Sequence, residues 1–211
     1  MILICFAVKE EARFFRPQEQ VEMLLTGIGR HNAEKTVRTV LAQQKPRLVL
    51  SCGFAGGLRP ELAAGSVLFS VDAETDLEGP LLAAGARPAR FHCVDRVATT
   101  AEEKRALWQA TRADAVEMES QIICECCREQ RIPSGTVRVI LDTAGEDLPL
   151  DFNEMMTAEQ RMDYSKLAVA LVKSPGKVSA LLRLQKQSGE AAERLADVLK
   201  KVLNRLSPPN Q

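Results

Sequence analysis

Glu117 and Glu119 flank Met118 in the stretch ADAVEMESQIICECC, residues 113–127, where a short apolar run meets an amphipathic segment. Two carboxylates at such a junction either solvate a loop or accept hydrogen bonds from the hydroxyls of a polar ligand. A further carboxylate, Asp142, ends the run VILD, and partial burial there would raise its pKa and let it hold or give a proton near neutral pH. Glu10 and Glu11 directly follow the first apolar run, ILICFAV; taken alone they read first as an acidic helix N-terminus favoured by the macrodipole. Two glycine-rich turns complete the set. TGIGRHN, with Thr26, Gly27 and Arg30, leads into a helix whose free amides could receive an anion or a hydroxyl. Its Asn32 stands where a dinucleotide fingerprint has its third glycine. SCGFAGGL, with Gly53, Phe54, Ala55, Gly56 and Gly57, permits close approach of backbone to a ligand.

The elements that must position these residues are legible as apolar runs at residues 2–8, 21–27, 47–53, 66–71, 91–97 and 136–142. Near-continuous Val, Ile and Leu suits central strands covered on both faces. Between them, HNAEKTVRTVLAQQ places Ala33, Val37, Val40 and Leu41 on one helical face, and TTAEEKRALWQAT opens with a Thr cap and an acidic first turn. ESQIICECCREQ is a third helix. The alternation predicts an α/β fold, with helices on a mostly parallel or mixed sheet. Two C-terminal segments, SPGKVSALLRLQKQ and GEAAERLADVLKKVLNRL, read as helical. The second carries a stripe of Leu195, Val198, Leu199, Val202 and Leu206, with Glu190–Arg194 and Asp197–Lys201 pairs at i,i+4. SPPNQ, 207–211, reads as a frayed end.

Composition narrows the function classes. Twenty-eight basic and 28 acidic residues cancel, so no charge footprint points to nucleic acid or an anionic membrane. The opening MILICFAVKEEARFF lacks the basic n-region of a signal peptide, and no apolar run approaches the roughly 18 residues of a membrane helix. A cytoplasmic location and one domain over residues 1–211 are the expectations. Cys124 and Cys127 form a C-x-x-C, but no second pair and no nearby histidine complete a tetrahedral metal site. These thiols read as small buried side chains.

Taken in order, the glutamate after the first strand, TGIG, SCGFAGGL, VEMES and RVILD resemble the nucleoside phosphorylase and nucleosidase superfamily. Within it the chain is most similar to the methylthioadenosine/S-adenosylhomocysteine nucleosidases and the hopanoid-associated phosphorylases, over residues 2 to about 155. The resemblance implies a three-layer phosphorylase-like fold, a central mixed sheet flanked by helices with a helical C-terminus. It implies hydrolysis of the N-glycosidic bond of an adenosine-type nucleoside, without metal or organic cofactor, with phosphorolysis of the same bond, including that of an adenosyl-lipid substrate, as the alternative. It also implies a homo-oligomer, dimer or larger, because a neighbouring subunit often completes the pocket for the 5′ group. Residue by residue, Glu119 matches the carboxylate that grips the ribose hydroxyls, and Met118 the methionine against sugar and base. Asp142 matches the aspartate that hydrogen-bonds or protonates purine N7, and Glu11 the acid that orients the attacking water. Glu117 is expected to be structural or to support Glu119, and Arg138, just before the apolar strand, to be structural. Thr26, Gly27, Gly53 and Ala55 fall in pocket-lining positions; Phe54 and Phe152 are candidate walls for the base, with an ordinary core reading beside that one.

The sequence departs from the phosphorolytic pattern in two places. VKEEA replaces the G-D-P-x-R type loop, and Ser51-Cys52 stands where an arginine opens the second glycine-rich turn. Both favour water over phosphate as nucleophile, with Arg30, helped by Thr26, as the candidate phosphate ligand for the alternative. Leu141 replaces a serine before the key aspartate, and VDRVATTAEEK lacks the usual S-G-D. A non-catalytic nucleoside-binding protein is the reading from another class; the presence of Glu11, Glu119 and Asp142 together argues against it, since binding alone would not need Glu11.

Overall fold

The computed structural model describes residues 1–157, 163, 165–166 and 175–206. Strand β1 (Ile2–Phe6) shows how the sheet is covered on both faces. Ile2, Ile4 and Phe6 point into one apolar cluster, while Leu3 and Cys5 point into another, as the two-residue period of a strand requires. Strands β2 (Val21–Leu25), β3 (Leu48–Gly57), β4 (Val67–Val71), β5 (Arg87–Pro88), β6 (Phe91–Cys93), β7 (Ala115–Glu117) and β8 (Ser134–Asp142) complete an eight-stranded sheet. The main path runs β2-β1-β3-β8-β4-β5, and β7 branches from the end of β3 with β6 beside it. Pairs β1–β2, β1–β3 and β3–β8 are parallel, whereas β4–β8 and β3–β7 are antiparallel, so the sheet is mixed.

Helices α1 (Gly29–Gln43) and α4 (Ser120–Glu129) cover one face through Ala33, Val37, Leu41, Ile122, Ile123, Cys126 and Cys127. The opposite face is covered by the short α2 (Glu78–Ala83) and by α5 (Val178–Leu206), which lays Leu195, Val198, Leu199 and Val202 onto Ile4, Leu50 and Val137. Helix α3 (Ala101–Thr111) starts at a complete capping box between Thr100 and Glu103. The three-layer α/β arrangement is the one the sequence predicts.

Several boundaries differ for physical reasons. β1 stops at Phe6 because the amides of Ala7 and Val8 turn toward Glu11 Oε2 (2.8 and 3.2 Å). β3 runs on through its glycines to Gly57, paired to β8 and β7. The 91–97 run is strand only to Cys93, and β5 and α2 have no counterpart in the predicted elements. The C-terminal segments form one unbroken helix over the described part, and Glu190 pairs with Lys186 at 3.7 Å instead of Arg194. The frayed end predicted for 207–211 lies outside the described residues. The α4 cysteines do pack as small side chains: Cys126 and Cys127 sit in the core, and burial raises both thiol pKa values.

Candidate active site

Strands β2, β1, β3 and β8 run parallel, so their carboxyl ends share one edge of the sheet, where ligands of open α/β sheets gather. Glu11, the TGIG turn, the glycines of β3 and Asp142 all lie there. Arg138 is the centre of the arrangement. It sits inside β8, not before it as the sequence suggested, and is 1% exposed. Its Nη2 donates to Glu117 Oε2 at 2.6 Å, to Ser51 Oγ at 3.0 Å and, at the limit, to Glu119 Oε2 at 3.5 Å.

Glu11 approaches from the loop after β1. Its Oε2 accepts from Ala7 and Val8, and its Oε1 from the Phe54 amide at 2.8 Å. Gly53 makes that approach possible: a Cβ there would collide with both Arg138 Nη1 and Glu11 Oε1. Glu119 Oε1 accepts the Gly29 amide at 2.8 Å, so the donor at the start of α1 that was expected to be free for an anion is taken by this carboxylate. Met118 is buried between the two glutamates. Glu117 is fully engaged, accepting from Arg138, from the Glu119 and Ser120 amides (3.0 and 2.8 Å) and from Ser120 Oγ (2.7 Å). It anchors the start of α4 and orients Arg138.

Three buried glutamates around one guanidinium cannot all be comfortably ionised. Burial opposes ionisation of Glu117, but Arg138 and the Ser120 and Glu119 donors outweigh it and hold its pKa below the ordinary value. Burial dominates at Glu11, whose pKa is raised against the pull of Arg138 and three amides. Glu119 is raised to about 7, by burial first and then, against Arg138, by the charges of Glu117 and Glu11. Because the shift is upward, stability from this group is complete below its unfolded pKa of 4.5 and is lost as pH rises through about 7. At 1.36 kcal/mol per pKa unit that shift corresponds to about 3 kcal/mol. Glu119→Gln should therefore gain stability relative to wild type as pH rises from 5 to 8, to an extent on that order. Paired thermal melts at the two pH values test this; a constant difference between the proteins contradicts it.

Asp142 ends β8, and a register shift between Ala55 and Gly56 places it opposite Gly56. A Cβ at Gly56 would lie 3.4 Å from Asp142 Oδ2, so the carboxylate rests against bare backbone. Lys104, wholly buried on α3, forms an ion pair with Asp142 Oδ2 and donates to Thr143 O and Glu146 O at 2.9 and 2.7 Å. Burial raises the Asp142 pKa, with Lys104 opposing. Gly53 and Gly56 are three strand residues apart, roughly 10 Å at about 3.3 Å per residue. Glu11 and Asp142 thus stand over separate stations on β3, one beside Gly53 and the other beside Gly56.

Other predicted residues are placed less centrally. The Thr26 hydroxyl turns to Phe6 O (3.2 Å), and Gly27 makes the turn with φ +85°. Phe54 is half-buried and contributes its amide to Glu11, while Ala55 packs with Ile140 in the core. Phe152 lies half-buried in the loop after β8, which docks on the segment after β6 through Asn153, bonded to Val97 N and O at 2.8 and 3.0 Å. Arg30 is not brought into the cluster: its guanidinium pairs at 3.0 Å with Glu125 on the exposed side of α4. A cavity of about 280 Å³ borders Glu117 among Phe91, Cys93, Ser120 and Cys124, but Glu11, Glu119 and Asp142 do not line it.

Sequence reasoning missed Arg138 as a hub and Lys104 altogether. A lone cation within TVRVILD was the available signal for the first, since an unpaired charge is seldom buried in a central strand. Lys104 was signalled by its spacing, i, i+3 and i+4 with Leu107 and Trp108.

Acidic groups are thus collected at the carboxyl edge of this α/β sheet, with glycines opening the backbone, at the edge where ligands of such sheets gather. A sequence profile of the Phosphorylase superfamily matches residues 9–92 and 86–173, and the chain belongs to that superfamily. A 5′-methylthioadenosine/S-adenosylhomocysteine nucleosidase of Marinomonas sp. is 28% identical over 174 residues, 65% of this chain and 74% of that protein. Among solved structures, the S-adenosylhomocysteine nucleosidase of Streptococcus pyogenes superposes with a TM-score of 0.70 at 17% identity, covering 98% of this chain and 97% of the other. The futalosine hydrolase of Helicobacter pylori gives 0.68 at 17%, covering 97% of each. These likenesses establish the shared fold.

Proposed function

We propose that the protein is an enzyme that cleaves the N-glycosidic bond of an adenosine-type purine nucleoside, such as methylthioadenosine or S-adenosylhomocysteine, with water as nucleophile. The observation that carries this is the disposition of Glu11, Glu119 and Asp142 at the carboxyl edge of the sheet; the named activity of the Marinomonas relative supports it. In this reading Asp142 supplies a proton or hydrogen bond to the departing base. Glu119 accepts the ribose hydroxyls and stabilises positive charge growing on the ring. Met118 lies against the sugar, and Glu11 accepts a proton from water as it attacks the anomeric carbon. Arg138 and Glu117 hold the two working glutamates in place. The enzyme works as a cytoplasmic homo-oligomer, dimer or larger.

Phosphorolysis is the second reading. The engagement of Arg30 with Glu125 favours water, as does the approach of Glu11 to the site, since a carboxylate there repels phosphate. Methylthioadenosine should accordingly be cleaved in phosphate-free buffer to adenine and free 5-methylthioribose. Glu11→Gln should lower that rate by about 10²–10⁴-fold, the usual worth of general-base assistance. Activity that requires phosphate and yields the sugar 1-phosphate overturns the hydrolytic reading.

A further inference from the structure

Helix α3 carries a lysine where its spacing calls for an apolar residue. Lys104, Leu107, Trp108 and Thr111 share one face, and Lys104 is completely buried there. A buried ammonium persists only when its donors are satisfied. Here two go to the carbonyls of Thr143 and Glu146, and the third faces Asp142 Oδ2. Among the described residues that oxygen has no hydrogen-bond donor besides the ammonium it is ion-paired to. The loop after β8 is stitched to α3 without the lysine as well. Leu148 N donates to Thr99 O at 2.8 Å, Ala101 N to Asp147 Oδ1 at 2.7 Å, and Val97 N to Asn153 Oδ1 at 2.8 Å. Docking of the loop therefore does not rest on Lys104 alone, and the contact only the lysine makes is with the carboxylate.

We propose that Lys104 is a positioning residue for the leaving-group acid, pinning Asp142 through Oδ2 so that Oδ1 is left for the departing base. This rests on the reading of Asp142 as that acid. It also gives the lysine control over when the acid is loaded. The titratable groups that bear on Asp142 are Lys104 from α3 and Glu146 from the loop, whose carboxylate is held by Thr143 N and Oγ1 at 2.7 and 2.9 Å. An acid must be protonated to act, so turnover falls as pH rises through the pKa of Asp142. Burial raises that pKa and Lys104 lowers it. Removing the ammonium must shift the alkaline limb of the kcat profile to higher pH, while loss of orientation lowers its plateau.

The test is the pH dependence of kcat and KM on methylthioadenosine for wild type, Lys104→Met, Asp142→Asn and the double variant. Lys104→Met is expected to lose about 10²-fold in plateau kcat, the scale of a misplaced reacting group, with KM little changed. Its alkaline limb should move up by at least about one pH unit. The double variant should be no slower than Asp142→Asn alone, because the lysine acts only through the aspartate. If Lys104→Met does not fold, Lys104→Gln, which keeps a donor for the loop carbonyls without the charge, should show the same displacement. An alkaline limb that stays in place in the folded variant, with or without a lower kcat, overturns the proposal and leaves Lys104 structural. The two readings fail differently. An active Asp142→Asn overturns the acid assignment and the lysine's role with it; an inactive Asp142→Asn beside a Lys104→Met with the wild-type profile overturns the lysine's role alone.

Discussion

Asp142→Asn should lower kcat by about 10²–10⁴-fold while binding a non-cleavable adenosine analogue as tightly as wild type. Asparagine keeps the volume that rests on Gly56 and offers an amide oxygen to Lys104. What it cannot do is release a proton to the base as the glycosidic bond breaks. That contact strengthens only in the transition state, so its loss falls on kcat and not on ground-state affinity. Initial rates across substrate concentration, set beside calorimetric binding of the analogue, separate the two quantities. Near-normal turnover would remove Asp142 from the chemistry. An equal loss of binding and rate would make it a general contact and not the leaving-group acid.

The second large effect is on folding. Arg138→Met should destabilise the protein by about 3–5 kcal/mol, the usual consequence of breaking a buried ion pair by removing one partner. The reason is the company the arginine keeps: Glu117 and Glu119 bond its Nη2, and Glu11 meets it over Gly53. With the guanidinium gone, the buried carboxylates face one another without a counter-charge, and protonation becomes their remaining relief. The deficit should therefore shrink as pH is lowered, which a packing defect alone would not do. Urea denaturation of both proteins near pH 5 and pH 8 measures this. A small, pH-independent loss would show that Arg138 is not the counter-charge for the three glutamates. Lysine would not restore it, because a single ammonium lacks the planar fork that meets several oxygens at once.

Local chemistry carried much of this structure in the sequence. Apolar runs, the Thr100–Glu103 capping box and the helical stripe of Leu195, Val198, Leu199 and Val202 are patterns over neighbouring residues, and each produced the element it predicted. Acids next to strand ends are also a local property, and the resemblance to the nucleosidases singled out Glu11, Glu119 and Asp142 among them. What the neighbours of each acid are is not local. Glu11 meets the Phe54 amide across 43 residues, Glu119 meets Gly29 across 90, and Lys104 reaches Thr143 across 39. Those encounters depend on strand order, and for Asp142 on the register shift that sets it opposite Gly56. The charge states follow from the same packing. An isolated glutamate titrates near its ordinary value wherever it stands in a sequence. Only burial beside two other carboxylates raises Glu119 to about 7, and only the arginine planted mid-strand, with the Ser120 and Glu119 donors, holds Glu117 below its ordinary value against the same burial.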